Sequence, residues 1–196
     1  MYMGRLLIVL ALFACQLSWA DDFLEGVAAL QERDCKTAVT KITRAAYARN
    51  SFAEFKIGSM YMNGECVSQS YSEAAGWIAL AADSGMPEAQ STLGYMVQNG
   101  LGVSQDYARA FRLYRSAAKM GDLHAQSNLG WMYSEGLGTV QDYLLAHMWY
   151  NVAAVNGDAD SRKGRQAISR KMTAQQIAEA QHMARECLNS NFKKCD

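Results

Sequence analysis

The sequence predicts an all-α fold, an α/α superhelical solenoid of helix-turn-helix repeats with C-terminal capping helices. Three observations carry this. Glycines recur at a fixed spacing of 36 residues, which marks an internal repeat. Within each repeat, apolar residues recur at i, i+4 and i+8, the spacing of one helical face. The 196 residues include 15 glycines but one proline, Pro87, with 50% apolar and 19% charged residues. That is enough apolar material for a core and too little charge for disorder.

The chain opens on a leader-like segment, residues 1–20. Arg5 precedes an apolar run from Leu6 to Leu17 that is broken only by Gln16, and Ser18 and Ala20 put small residues before Asp21. This is the layout of a secretory signal peptide. The run is short for a membrane span, which takes about 20 apolar residues. Cleavage after Ala20 is expected, with no membrane span afterwards and a periplasmic or secreted product. Lipidation at Cys15, after Leu12-Phe13-Ala14, is the lesser alternative, because Phe13 is bulky for a lipobox.

Residues 21–50 read as a shortened N-terminal capping repeat. Ala38, Ala45 and Ala46 fall in the register of Ala74, Ala81 and Ala82, but the glycine loop is missing. Three full repeats follow over 51–157, at about 51–86, 87–122 and 123–157. Gly58, Gly94 and Gly130 align, as do Gly64, Gly100 and Gly136, and Gly85, Gly121 and Gly157. Tyr71, Tyr107 and Tyr143 share a register, and so do Gln69, Gln105 and Gln141.

Each repeat reads as two helices. The first spans roughly 52–63, 88–99 and 124–135, with stripes Ala53-Ile57-Tyr61, Ala89-Leu93-Val97 and Ala125-Leu129-Tyr133. It stops at Gly64, Gly100 or Gly136, where glycine takes the left-handed C-terminal conformation. The second spans roughly 71–84, 107–120 and 143–156, with Asp106 and Asp142 as caps. Each hairpin leaves an apolar face that only a neighbouring repeat can cover, so the repeats must stack. Residues 158–196 read as capping helices and a tail. Ser161 to Lys171 is polar and basic, Thr173 and Gln176 form a capping box, and Ile177, Ala180, Ala184 and Cys187 share a face.

These residues carry a family resemblance. The segment Ala-Gln-Ser-Thr-Leu-Gly-Tyr-Met-Val-Gln-Asn-Gly-Leu-Gly-Val-Ser-Gln-Asp-Tyr-Ala-Arg-Ala, residues 89–110, resembles a Sel-one-like repeat, a relative of the tetratricopeptide repeat. So does 125–146. The first repeat departs, with Cys66 in place of Gly102 and Gly138, and Ser70 in place of Asp106 and Asp142. Residues 172–181 resemble the C-terminal helix of many bacterial members. The resemblance covers roughly 23–188. It implies a right-handed superhelix that binds other macromolecules as a scaffold or regulator, with first helices lining the concave side.

Composition and motifs narrow the function. Lys plus Arg and Asp plus Glu each number 19, so no basic field exists to hold a nucleic-acid backbone. His124, His147 and His182 follow no metal spacing, no cysteine lies in a zinc pattern, and no phosphate-binding loop or Gly-x-Ser-x-Gly is present. No metal or cofactor is expected, and no catalytic residue. Ser116-Ala117-Ala118-Lys119 spells Ser-x-x-Lys, the nucleophile motif of serine β-lactamases, and some cysteine-rich relatives are β-lactam binders or hydrolases. Yet Ser116 aligns with Leu80 and Val152, Lys119 aligns with Asp83 and Val155, and the companion motifs are absent. The aligned Met60, Met96 and Met132, and the Trp77 and Trp149 position, read as packing.

The face of the first helices away from the apolar stripe reads Lys56-Ser59-Asn63, Thr92-Tyr95-Asn99 and Asn128-Trp131-Glu135. Polar side chains around exposed Tyr95 and Trp131 suit a partner-binding surface, since aromatics dominate interface hot spots. The expected function is a non-catalytic exported scaffold that binds a protein or peptide in the bacterial envelope through this face. Two alternatives stand beside it: a protein that binds or hydrolyses β-lactams or cell-wall fragments, and a structural subunit of an envelope machine such as a flagellar motor ring.

Without Cys15, four cysteines remain, an even number that reads as disulfides in an exported chain. The register favours Cys35–Cys66 and Cys187–Cys195. Cys35 shares the register of Tyr71 and Cys66 lies in the next glycine loop, so stacking puts them side by side.

Overall fold

A computed structural model describes residues 21–195 of the chain. The leader segment with its cleavage point and Cys15 lie outside the described residues. Every regular element among the described residues is a helix, in repeated helix-turn-helix units. The chain divides into two units, the first ending at Ser84 and the second starting at Gly85.

The first unit holds α1 (21–31), α2 (Cys35–Tyr47), α3 (Ser51–Asn63) and α4 (Tyr71–Asp83). Short polar side chains start the helices by accepting orphan backbone N–H groups. Asp34 accepts from Thr37, Asn50 from Ala53, and Ser70 from Glu73. The core gathers Ile42, Ala45, Ala46, Ala53, Ile57 and Met60, with Phe23, Leu30 and Tyr61 packed against it. α3 and α4 approach closely because Gly58 has no side chain; a Cβ there would sit 2.6 Å from Cγ1 of Ile78. Buried Asp22 is held by Lys41 Nζ and Arg44 Nε, each at 2.9 Å. Cys35, at the start of α2, is bonded to Cys66 in the loop after α3, with Cα atoms 5.0 Å apart. Cys66 adopts φ 62°, a left-handed conformation rare for a residue with a side chain.

The second unit holds α5 (Pro87–Asn99), α6 (Tyr107–Lys119), α7 (Leu123–Glu135), α8 (Tyr143–Val155), α9 (Ala159–Ser169) and α10 (Ala174–Asn189). Consecutive helices from α5 to α9 pack on one another, and α10 returns to α8. Asp106, Asp122, Asp142 and Asp158 cap α6 to α9, and the Thr173–Gln176 capping box starts α10. α5 begins differently: Met86 supplies no side-chain cap and Pro87 fills the first turn. The first helices begin one residue earlier than the sequence suggests, because Asn50, Met86 and Asp122 are themselves the caps.

The glycine contact of α3 on α4 is repeated within this unit. A Cβ at Gly94 or Gly130 would come within 2.9 Å of the ring of Tyr114 or Tyr150. Gly138 (φ 70°) is more constrained, since a Cβ there would collide with the Tyr107 carbonyl at the start of α6. Met96, Met132 and Trp149 are fully buried, as is Met60 in the first unit. Cys187 is bonded to Cys195, Cα atoms 4.6 Å apart, which turns the tail back beneath α10.

Candidate functional site

The face away from the apolar stripe is set by helix geometry: residues at i, i+3 and i+7 point the same way. In the first unit it carries Lys56, Ser59 and Asn63 on α3. Lys56 is half-buried and pairs with Glu65 at 3.1 Å. The Ser59 hydroxyl donates to the Phe55 carbonyl of its own helix at 2.8 Å. Asn63 is exposed at the end of α3.

In the second unit the face carries Thr92, Tyr95 and Asn99 on α5, and Asn128, Trp131 and Glu135 on α7. Tyr95 is 51% exposed. Its neighbours are ordered by the helix beneath them. Thr92 donates to the Glu88 carbonyl, and Asn99 to the Tyr95 carbonyl, each at 2.8 Å. Asn128 donates likewise to the His124 carbonyl at 2.8 Å. Glu135 is exposed and accepts from the Ser134 hydroxyl at 3.1 Å. Trp131 departs from the sequence reading: it is half-buried rather than exposed, so only part of its ring faces outward. Among the described residues no ring contact joins Tyr95 to Trp131.

The second unit also holds buried and half-buried polar groups. Tyr114 is fully buried with no hydrogen-bond partner for its hydroxyl, and burial, with Tyr95 and Asp122 nearby, pushes its ionisation well above the ordinary phenol value. Asp158 caps α9 and accepts from Ser127 at 3.0 Å and from the Ser161 backbone at 2.7 Å. Burial pushes its carboxyl upward, but the bonds from Ser161 and Ser127 outweigh that and hold it below its ordinary value. His147 on α8 is buried, and burial followed by the Arg165 charge lowers its pKa.

Ser116 and Lys119 lie one turn apart on α6 and line a hollow of about 280 Å³ with Arg112 and Arg115. His124 and His182 are exposed on separate helices. Among the described residues no group of His, Cys, Asp and Glu is placed to hold a metal ion, and no helix is long and apolar enough to cross a membrane. Trp77 is not simply core: it is half-buried and meets the exposed Tyr47 edge-on, ring centres 5.2 Å apart. Sequence reading passed over Glu54, a fully buried carboxylate on α3. The signal was in the register, where Gln90 and Gln126 occupy the matching positions.

The family model of the Sel1 repeat matches residues 51–86, 87–122 and 123–158. A protective antigen of uropathogenic Escherichia coli strains, whose crystal structure displays an SLR fold, is similar with a TM-score of 0.74 and 28% identity, over 82% of this chain and 34% of that one. The chain thus spans about a third of the length of that antigen. A Sel1 repeat protein from Oxalobacter formigenes is similar with a TM-score of 0.60 and 35% identity, over 66% of this chain and 97% of that one. No curated protein matches the chain.

Proposed function

The chain belongs to the Sel1 repeat family, whose members generally serve as protein-interaction scaffolds, and on that premise we propose that it is a non-catalytic exported scaffold holding a protein or peptide partner in the bacterial envelope. Within each unit the faces of the first helices supply the binding residues. The observation that carries this reading is Tyr95, an exposed ring flanked by Thr92 and Asn99, whose side chains are already tied to their own helix. An aromatic anchor among preordered polar groups loses little entropy on binding. Asn128, Trp131 and Glu135 extend the same chemistry on α7, and Lys56, Ser59 and Asn63 offer a more polar version on α3.

Export is supported by the leader-like composition of residues 1–20 and by two disulfides, which persist in oxidising compartments. The experiment is cross-linking capture from bacterial envelopes with the wild-type chain beside a Tyr95→Ala, Trp131→Ala double variant. A partner captured by the wild type and lost from the variant is expected. A partner retained equally by both moves the binding surface elsewhere.

A further inference from the structure

Gln126 is fully buried, and its amide donates to the Ala118 carbonyl at 3.3 Å. Glu54 stands 72 residues earlier, two repeat periods, and Ala46 stands in the register of Ala118. An ionised carboxylate has no N–H to offer a carbonyl. The Glu54 side chain is 1% exposed, and neither of its oxygens has a hydrogen-bond partner. The nearest cation is Arg49, with Nη1 4.0 Å from Oε1 and a side chain that is 75% exposed. Burying an acceptor this way is costly unless something donates to it.

A pocket lies against Glu54, with Arg49 beside the carboxylate. It measures about 280 Å³ and is lined by Ala46, Tyr47, Arg49, Glu54, Trp77 and Leu80. Trp77 and Leu80 also line a second pocket of about 310 Å³, together with Ser72, Glu73 and Gly76. Two aromatic rings crossed at 76° thus stand beside one buried carboxylate, and Trp77 shares its second pocket with the exposed Glu73. Aromatic faces attract cations through their quadrupole, and a carboxylate adds charge and a directed acceptor.

We propose that this pocket of the first unit receives a basic side chain of a protein partner, with its cationic head on the Glu54 carboxylate and its alkyl stem against Tyr47 and Trp77. Arg49 holds the place loosely and swings aside when the partner enters. The pocket uses α2, the start of α3 and α4, none of the residues assigned above to partner binding, so it stands or falls separately from that surface.

The test uses the full chain and nuclear magnetic resonance of the tryptophan indole N–H signals, with Trp77 assigned through Trp77→Phe. Three probes are titrated: N-acetyl-lysine methylamide, N-acetyl-arginine methylamide and the uncharged N-acetyl-norleucine methylamide. The basic probes should shift the Trp77 signal and norleucine should not. The tighter of the two identifies ammonium or guanidinium as the preferred head. Glu54→Gln places at 54 the residue found at 90 and 126, so it should fold, and it should weaken the basic probes about tenfold or more. Arg49→Ala should tighten them, the opposite sign to any general loss of structure. Equal shifts with norleucine, affinity unchanged in Glu54→Gln, or no response to either basic probe would each overturn the proposal.

Discussion

Cys66 bonds to Cys35 across a separation of 31 residues, the same separation at which Gly138 presses on the Tyr107 carbonyl. The loop after a first helix thus meets the start of the preceding second helix in two ways, by a bare backbone in the second unit and by a covalent bond in the first. Both residues take a positive φ, 62° at Cys66 and 70° at Gly138. Glycine does so at no steric cost, whereas cysteine does not.

The covalent version should matter to stability. Cys35→Ser, Cys66→Ser closes no loop in the unfolded chain, and the chain-entropy model gives a loss of about 3–4 kcal/mol. Urea unfolding of oxidised wild type and double variant checks this. Equal midpoints would assign the bond no stabilising role.

At Gly138 even a methyl group has nowhere to go. Gly138→Ala combines a left-handed φ with a collision against backbone that cannot rotate away, and should cost about 2–4 kcal/mol. Gly157→Ala is the control, since its Cβ would meet nothing within 4 Å although its φ is 103°. Thermal unfolding of the two variants should separate steric from conformational cost, with Gly138→Ala the less stable.

Removal of the two rings on the second unit's first helices should weaken partner binding. Tyr95→Ala and Trp131→Ala are each expected to lose about 1–2 kcal/mol of affinity, with helicity retained. Titration calorimetry with the captured partner, alongside circular dichroism, measures both. Tyr95→Ala should perturb the fold less, because Trp131 is half-buried.

His147 should make the fold acid-sensitive. Its pKa in the folded chain lies below the ordinary 6.5, through burial and then Arg165, so the unfolded chain takes up a proton first as pH falls. The stability that rests on the neutral ring is therefore complete above pH 6.5 and declines from there downward. Unfolding midpoints measured from pH 8 to pH 5 should show that decline, and His147→Leu should flatten this part of the profile.

The repeat architecture was legible because its signals are backbone requirements. Gly64, Gly100 and Gly136 end the first helices at φ values of 70°, 68° and 71°, and any sequence meeting that need shows it at a fixed period. Asp106 and Asp142 were readable as caps for the same reason. The binding face was legible only as a direction: helical spacing places Trp131 among its neighbours, but how deeply the ring sinks depends on packing that spacing does not encode. Glu54 was missed because a single carboxylate in an amphipathic helix normally faces water. Its burial follows from the position of Gln126 in a later repeat, and only a column-by-column reading of the register exposes it.

Of the helices from α2 to α10, α5 alone starts without a side-chain cap. Pro87 has no N–H to satisfy, but the Ala89 amide lacks the side-chain oxygen that Ala53 and Ala125 meet at the starts of α3 and α7. Opening of a helix begins where its first turn is held least. In deuterium labelling, the start of α5 is therefore the point where solvent should enter the repeat array first, and a protease that needs an unwound strand would find its earliest foothold beside Pro87.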